Sequence, residues 1–206
     1  MTNKNITPIF AMPLYRTIIS NETLAETRTL IHDFIKSDEW KNMDHGDRLQ
    51  TETTYHEDKK KNFLGNIKAE KLLDDLYPHC KDYLEFLDID SSKDLNLESW
   101  LNINGPDTWH DPHEHYGALL SGTVYIEVPK DSGDIVFYDP VKTRTQFNVL
   151  SCDYRKNKKN FFDEYRVSPI AGEVLLFEPW VTHSVAPNYT DGIRISVSFN
   201  IGTDRG

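Results

Sequence analysis

From Leu95 to Asn104 the chain alternates with a period of two, setting Leu95, Leu97, Leu101 and Ile103 on one face and Glu98, Trp100, Asn102 and Asn104 on the other. Near the C-terminus the pattern returns. Ile193, Ile195, Val197 and Phe199 share one face, and Arg194, Ser196, Ser198 and Asn200 share the opposite one. Further strands are predicted at Gly122–Val128, Asp134–Tyr138 and Glu173–Phe177, with the C-terminal run reaching Ile201. Pro129–Gly133 reads as a hairpin turn, and residues 143 to 165 form a long polar excursion, a candidate lid. Several short strands with turn punctuation specify an antiparallel barrel or jelly roll.

Before residue 92 the pattern is helical. Ile9, Phe10, Met12, Leu14 and Tyr15 suggest an opening strand, and Asn21 is placed to cap a helix carrying Leu24, Arg28, Ile31, Phe34 and Ile35. Residues 41 to 65 are polar and carry no clear period. A second helical stretch begins near Asn66 with Leu72, Leu73 and Leu76, and continues past Pro78 through Cys80, Tyr83, Leu84 and Leu87. Pro78 is expected to kink or divide it. The organisation predicted is one domain over residues 1–206, in which a largely helical cover (1–92) packs on a mainly β core (93–206).

A chain of 206 residues buries roughly 70% of its unfolded surface, so it folds without a disulfide or metal staple. Any metal it holds is therefore functional. The net charge of -10 argues against capture of nucleic acid or of an anionic membrane. Two local basic runs, Lys59 to Lys61 and Arg155 to Lys159, read as solvated loops. Cys80 and Cys152 stand far apart and outside any CxxC spacing, which suits a reducing cytoplasm. The N-terminus has no apolar signal-like run, and no stretch approaches the roughly 18 apolar residues of a membrane span.

Histidine is the informative residue. Three of the eight fall in Trp109-His110-Asp111-Pro112-His113-Glu114-His115-Tyr116. In an extended segment His113 and His115 lie on one side, as two ligands to one metal require; a histidine-rich surface loop gives the same letters. In Phe177-Glu178-Pro179-Trp180-Val181-Thr182-His183 a strand ends in a turn that presents another histidine, and a local pair with a distant third ligand is how barrels build open metal sites. Arg194, if it points into a barrel, must be paired. Its partner is either a barrel carboxylate, Glu127 or Glu173, or a dianionic small molecule that matches the guanidinium fork.

The set Pro112-His113-Glu114-His115, Ser121-Gly-Thr-Val-Tyr125, Leu176-Phe-Glu-Pro-Trp180, His183-Ser-Val-Ala-Pro-Asn188 and Arg194-Ile-Ser-Val-Ser-Phe-Asn200 resembles the 2-oxoglutarate- and Fe(II)-dependent oxygenases. The likeness is to a little-characterised branch seen in bacteria and phages, whose segments resemble PHxH, SGxxY, LFPSWxxH and RISxSFN. Ile9-Phe-Ala-Met-Pro-Leu-Tyr15 is similar to that branch's start, so the likeness spans most of the chain. It implies a double-stranded β-helix (jelly roll). It further implies that His113 and His183 bind Fe(II), and that Arg194 and Ser196 hold the distal carboxylate of 2-oxoglutarate. Tyr125 sits where a tyrosine of the related prolyl hydroxylases contacts that cosubstrate; filling the barrel would equally explain it. The implied reaction consumes O2 and converts 2-oxoglutarate to succinate, with hydroxylation as the default outcome.

One position departs from the pattern. Where the wider superfamily has an acidic ligand, this sequence has His115, and a third imidazole leaves a bound metal one unit more positive than a carboxylate does. Asp111 or Glu114 are the alternatives for the missing carboxylate, although Glu114 alternates away from the His113/His115 face. Three histidines form the favoured set. Candidate mouth residues are Trp100, Asn102, Asn104, His110, Tyr116 and Trp180, whose chemistry admits a small molecule or a peptide. Two other readings stand beside this one: a cupin-like three-histidine enzyme that does not use 2-oxoglutarate, and a non-catalytic jelly-roll module. The oligomeric state is open, a homodimer included.

Overall fold

The computed structural model describes residues 11–45, 51–55, 62–90, 95–140 and 164–203. Among the described residues, ten strands build two antiparallel sheets. In the larger, β1 (Leu14–Ile18), β8 (Glu173–Phe177), β5 (Leu120–Glu127), β10 (Arg194–Thr203), β3 (Leu95–Asn104) and β2 (Glu52–Thr53) follow in that spatial order. In the smaller, the order is β4 (His110–His113), β9 (His183–Val185), β6 (Ile135–Tyr138) and β7 (Glu164–Val167). Two facing antiparallel sheets make the jelly roll.

The helices cover the outer face of the larger sheet. α1 (Asn21–Lys36) and α4 (Glu70–Phe86), with the short turns α2 (Asp38–Lys41) and α3 (Phe63–Asn66), set Leu24, Ile31, Phe63, Leu72 and Leu84 against Leu101, Val124, Leu176, Val197 and Phe199. The apolar faces read from the alternation are thus buried under helix, each large side chain contributing about 1.5–3 kcal/mol. Ile193 is the exception; it stands outside β10 and is 50% exposed. A second cluster, including Tyr125, Ile135, Phe137, Leu175 and Phe177, fills the space between the sheets.

Four sequence expectations change. The α1 cap is Ser20, whose Oγ accepts from the Thr23 N–H, and Asn21 is the first helical residue. Pro78 does not divide the second helix: α4 runs through it, held down by Leu76, Cys80, Tyr83 and Leu84 on its buried face. Tertiary burial outweighs the one hydrogen bond that proline forfeits. Pro129–Gly133 turns, with the Ser132 N–H donating to Pro129 O, yet it joins no hairpin; it carries the chain from β5 in one sheet to β6 in the other. Finally, β2, β4, β7 and β9 were not expected as strands, being too short and polar to show a period, and β7 includes Glu164 and Tyr165, the end of the expected excursion. Ile9, Phe10, the basic runs, Cys152 and nearly all of the 143–165 excursion lie outside the described residues. Cys80 is buried, which pushes its thiol up to about 12 and leaves it inert.

Gly122 shows how tightly the layers close. A Cβ there would lie 2.5 Å from Phe199 Cζ and 2.8 Å from Leu176 Cδ2, so only glycine lets the Phe199 ring lie across β5.

Candidate metal centre

A cleft of about 510 Å³, part of it open to solvent, runs between the sheets. β3 lends it Trp100, Asn102 and Asn104; β10 lends Arg194, Ser196 and Ser198; β5 lends Thr123 and Tyr125. The smaller sheet answers with Ile135, His183 and Val185, and the β4 segment brings His110, His113 and His115.

The alternation rule explains the β3 and β10 walls but only part of β4. His110 and His113 are three residues apart and would face opposite ways in a regular strand. The ladder between β4 and β9 slips between them, pairing His110 with Val185 and His113 with His183. A bulge re-aims side chains in this way, and Pro112, which lacks an N–H, is tolerated because β4 is an edge strand.

One nitrogen from each of His113, His115 and His183 lies within 4.8 Å of the other two. The opposite nitrogen of every ring meets an oxygen. His113 Nδ1 is 2.7 Å from Asp111 O, His183 Nδ1 is 2.9 Å from Val181 O, and His115 Nδ1 is 2.9 Å from Asn200 Oδ1. A carbonyl can only accept, so each Nδ1 carries a hydrogen, and in the neutral ring the free lone pair is then on Nε2. His115 Nε2 is buried with no partner, the mark of a donor atom built for something absent from the protein itself. Trp100 stacks on the His115 ring at 5.6 Å and Asn200 is held in turn by the Ser121 hydroxyl, so this ring is braced on two sides.

His115 and His183 are neutral at physiological pH. Burial, reinforced by the neighbouring His113, pushes His115 down to about 4 and His183 to about 3; their hydrogen bonds to Asn200 and Val181 oppose the shift. A metal therefore meets lone pairs rather than protons. Neither carboxylate alternative joins the cluster. Glu114 accepts from the Thr182 and Tyr116 hydroxyls, and Asp111 Oδ1 accepts from Trp109 Nε1.

Arg194 is 1% exposed and points inward. The salt-bridge explanation fails: Glu173 is taken by Arg16, and Glu127 by Arg28 and His32. Instead Arg194 Nη1 donates to Ser132 O and Gly133 O at 2.8 and 2.9 Å, while Nε is buried without a partner. The carbonyls come from the turn that crosses between the sheets. Gly133 has φ +96°, and a Cβ there would strike Ala186 O at 2.3 Å, so the turn that grips Arg194 requires glycine. Burial lowers the Arg194 pKa, with Tyr125 and Asp134 opposing, but a guanidinium stays charged. Ser196 pairs in register with Tyr125, and both line the cleft beside it. Burial raises the Tyr125 phenol, so it is a neutral hydroxyl.

Of the expected mouth residues, Trp100, Asn102, Asn104 and His110 line the cleft. Tyr116 (91% exposed) and Trp180 (48% exposed) do not; they lie on the surface, where Trp180 Nε1 donates to Glu178. Asn200 and the crossing turn were missed as parts of the site. The even spacing of Asn200 from Arg194 put it on the right face, but no local signal pointed to His115.

The sequence profile of a family described as "Putative 2OG-Fe(II) oxygenase" matches residues 98–200, a span that contains all of these residues. No curated protein sequence matches the chain significantly. Among solved structures, the non-heme alpha ketoglutarate dependent epimerase SnoN from nogalamycin biosynthesis aligns over 92% of this chain and 78% of its own, with TM-score 0.63 and 16% identity. HygX from Streptomyces hygroscopicus, with nickel and 2-oxoglutarate bound, aligns over 94% and 84%, with TM-score 0.62 and 13% identity. The carbocyclase SnoK from nogalamycin biosynthesis aligns over 93% and 80%, with TM-score 0.60 and 12% identity. At such identities these likenesses establish a shared fold.

Proposed function

The chain belongs to the 2-oxoglutarate- and Fe(II)-dependent oxygenase family, and from that membership and the geometry of the cleft we propose that it hydroxylates a small-molecule or peptidyl substrate with Fe(II), 2-oxoglutarate and O2. His113, His115 and His183 hold the metal. Arg194 and Ser196 hold the distal carboxylate of 2-oxoglutarate, with Tyr125 beside them. The observation that carries the reading is the set of three imidazoles whose Nδ1 atoms all meet oxygens, leaving three convergent Nε2 lone pairs.

Both groups suit the residues present. The metal suits the neutral imidazoles and the orphaned His115 Nε2, and a dicarboxylate suits a buried guanidinium whose Nε is unpaired. Iron with 2-oxoglutarate and O2 supplies the oxidation when bound. The chain's own work is binding, aim and exclusion of water. Asn200, Asp111 and Val181 fix which ring nitrogen faces the metal. The Ser132 and Gly133 carbonyls fix the guanidinium before the anion arrives, so little side-chain entropy is lost on binding. Phe177 packs edge-on against the His183 ring at 4.7 Å and Phe137 lies tilted to it at 6.1 Å, an apolar flank that excludes water.

A cupin-like enzyme that dispenses with 2-oxoglutarate leaves the buried charge of Arg194 without an anion, which disfavours it. Hydroxylation is the outcome this chemistry gives when nothing in the site diverts it. The test is an anaerobic titration of Fe(II)-loaded protein with 2-oxoglutarate, followed by the visible metal-to-ligand charge-transfer band of a chelated 2-oxo acid. A saturable band is expected at one equivalent of iron. Its absence from folded, iron-loaded protein refutes the reading.

A further inference from the structure

His110 is a fourth histidine in the cleft to which the metal set gives no work. Its nitrogens are not among the converging ligand atoms, and its ring centroid stands 6.4 Å from that of His113. The residue as a whole is half-buried, yet Nε2 is shielded and has no hydrogen-bond partner. A buried imidazole nitrogen without a partner is uncommon and costs stability unless something absent from the protein satisfies it.

Its placement says what that something is. His110 and Arg194 both line the cleft. His110 shares β4 with His113, and the same cleft that holds the three converging histidines also takes in Arg194. Its strand partner Val185 lies two residues from His183, which keeps it in the smaller sheet, opposite Arg194, Ser196 and Tyr125. A five-carbon dicarboxylate reaching from the metal to Arg194 passes between these two walls. On the smaller-sheet side its other neighbours, Ile135 and Val185, are aliphatic and offer no donor. The β4 bulge spends an irregularity on turning His110 inward.

We propose that His110 is a cosubstrate-binding residue, whose Nε2–H donates a hydrogen bond to a carboxylate oxygen of 2-oxoglutarate. The inference rests on the oxygenase reading. It adds a polar contact from the smaller sheet that none of the recognised motif positions provides.

The test compares the wild type with His110→Ala, His110→Phe and His110→Gln in the anaerobic iron titration, reading the 2-oxoglutarate Kd from the charge-transfer band and iron stoichiometry separately. A hydrogen bond to a carboxylate predicts a Kd roughly ten- to hundredfold higher in the Ala and Phe variants with iron still at one equivalent. Gln, whose amide can donate, is expected to recover most of the loss. Phe retains the ring volume, so a deficit shared by Ala and Phe but not Gln separates a lost donor from lost packing. An unchanged Kd in Ala and Phe overturns the inference alone, as does loss of iron in both. A wild type that binds iron but shows no band overturns the oxygenase reading and this inference with it.

Discussion

Replacing Asn200 with Ala tests the proposed role of Asn200 in preparing His115 to hold a metal. Asn200 Oδ1 accepts from His115 Nδ1 at 2.9 Å and from Ser121 Oγ at 2.8 Å. Without that acceptor, Nδ1–H is left unpaired in a site already shielded from water, and the other tautomer, with its hydrogen on Nε2, loses its disadvantage. That tautomer cannot ligate. Supporting partners of this kind are worth about 10–100-fold in metal affinity, or about 1.4–2.8 kcal/mol. The assay is anaerobic competition for Fe(II) or Co(II) against a chelator, run on the wild type, Asn200→Ala and Asn200→Asp. Ala should weaken binding by the stated factor, while Asp, which keeps an acceptor oxygen, should hold affinity at or above wild type. The Trp100 stack keeps the ring in place in every variant, so the loss of thermal stability should stay within the roughly 1–3 kcal/mol expected for losing the two hydrogen bonds that Asn200 accepts. Wild-type metal affinity in Asn200→Ala would refute the reasoning, for it would show that His115 needs no orientation or is no ligand.

Arg194→Met should retain iron and lose the 2-oxoglutarate charge-transfer band at concentrations that saturate the wild type, since the guanidinium is the buried cation of the cleft wall; retention of the band with unchanged Kd would assign Arg194 a structural role. Metal-free protein should lose stability on acidification. His110, His115 and His183 titrate near 6.5 when unfolded but at about 3, 4 and 3 when folded, so between those limits the unfolded chain binds more protons. Stability is then full above pH 6.5 and falls as pH drops toward the folded values, by up to about 2 kcal/mol per histidine at pH 5. Urea midpoints measured from pH 8 to 5 check this, and a flat profile would contradict it. Gly122→Ala should cost about 1–3 kcal/mol because its methyl meets the Phe199 ring and Leu176, lowering the thermal midpoint without a change in the metal set; an unaltered midpoint would mean that the sheet yields there.

What the sequence determined by itself is what depends on near neighbours along the chain. Alternation from Leu95 to Asn104 and from Arg194 to Asn200 already divided the helix-covered face from the cleft face, and so put Arg194, Ser196, Trp100 and Asn102 in the site. The motif spacing set His113, His115 and His183 together, and the helical period of residues 70 to 86 survived Pro78. Tertiary structure decided whatever required one segment to meet another. Register between β4 and β9 placed His113 opposite His183, and the slip in that ladder turned His110 inward. The Pro129–Gly133 turn, which looks like a hairpin in one dimension, crosses between sheets because its strands pair elsewhere, and only there do its carbonyls reach Arg194, more than sixty residues later. The pairing of His115 with Asn200, 85 residues apart, is of the same kind. Side-chain period follows from backbone geometry within a few residues, whereas hydrogen bonds that select a tautomer or clamp a guanidinium depend on the fold that brings distant residues within 3 Å.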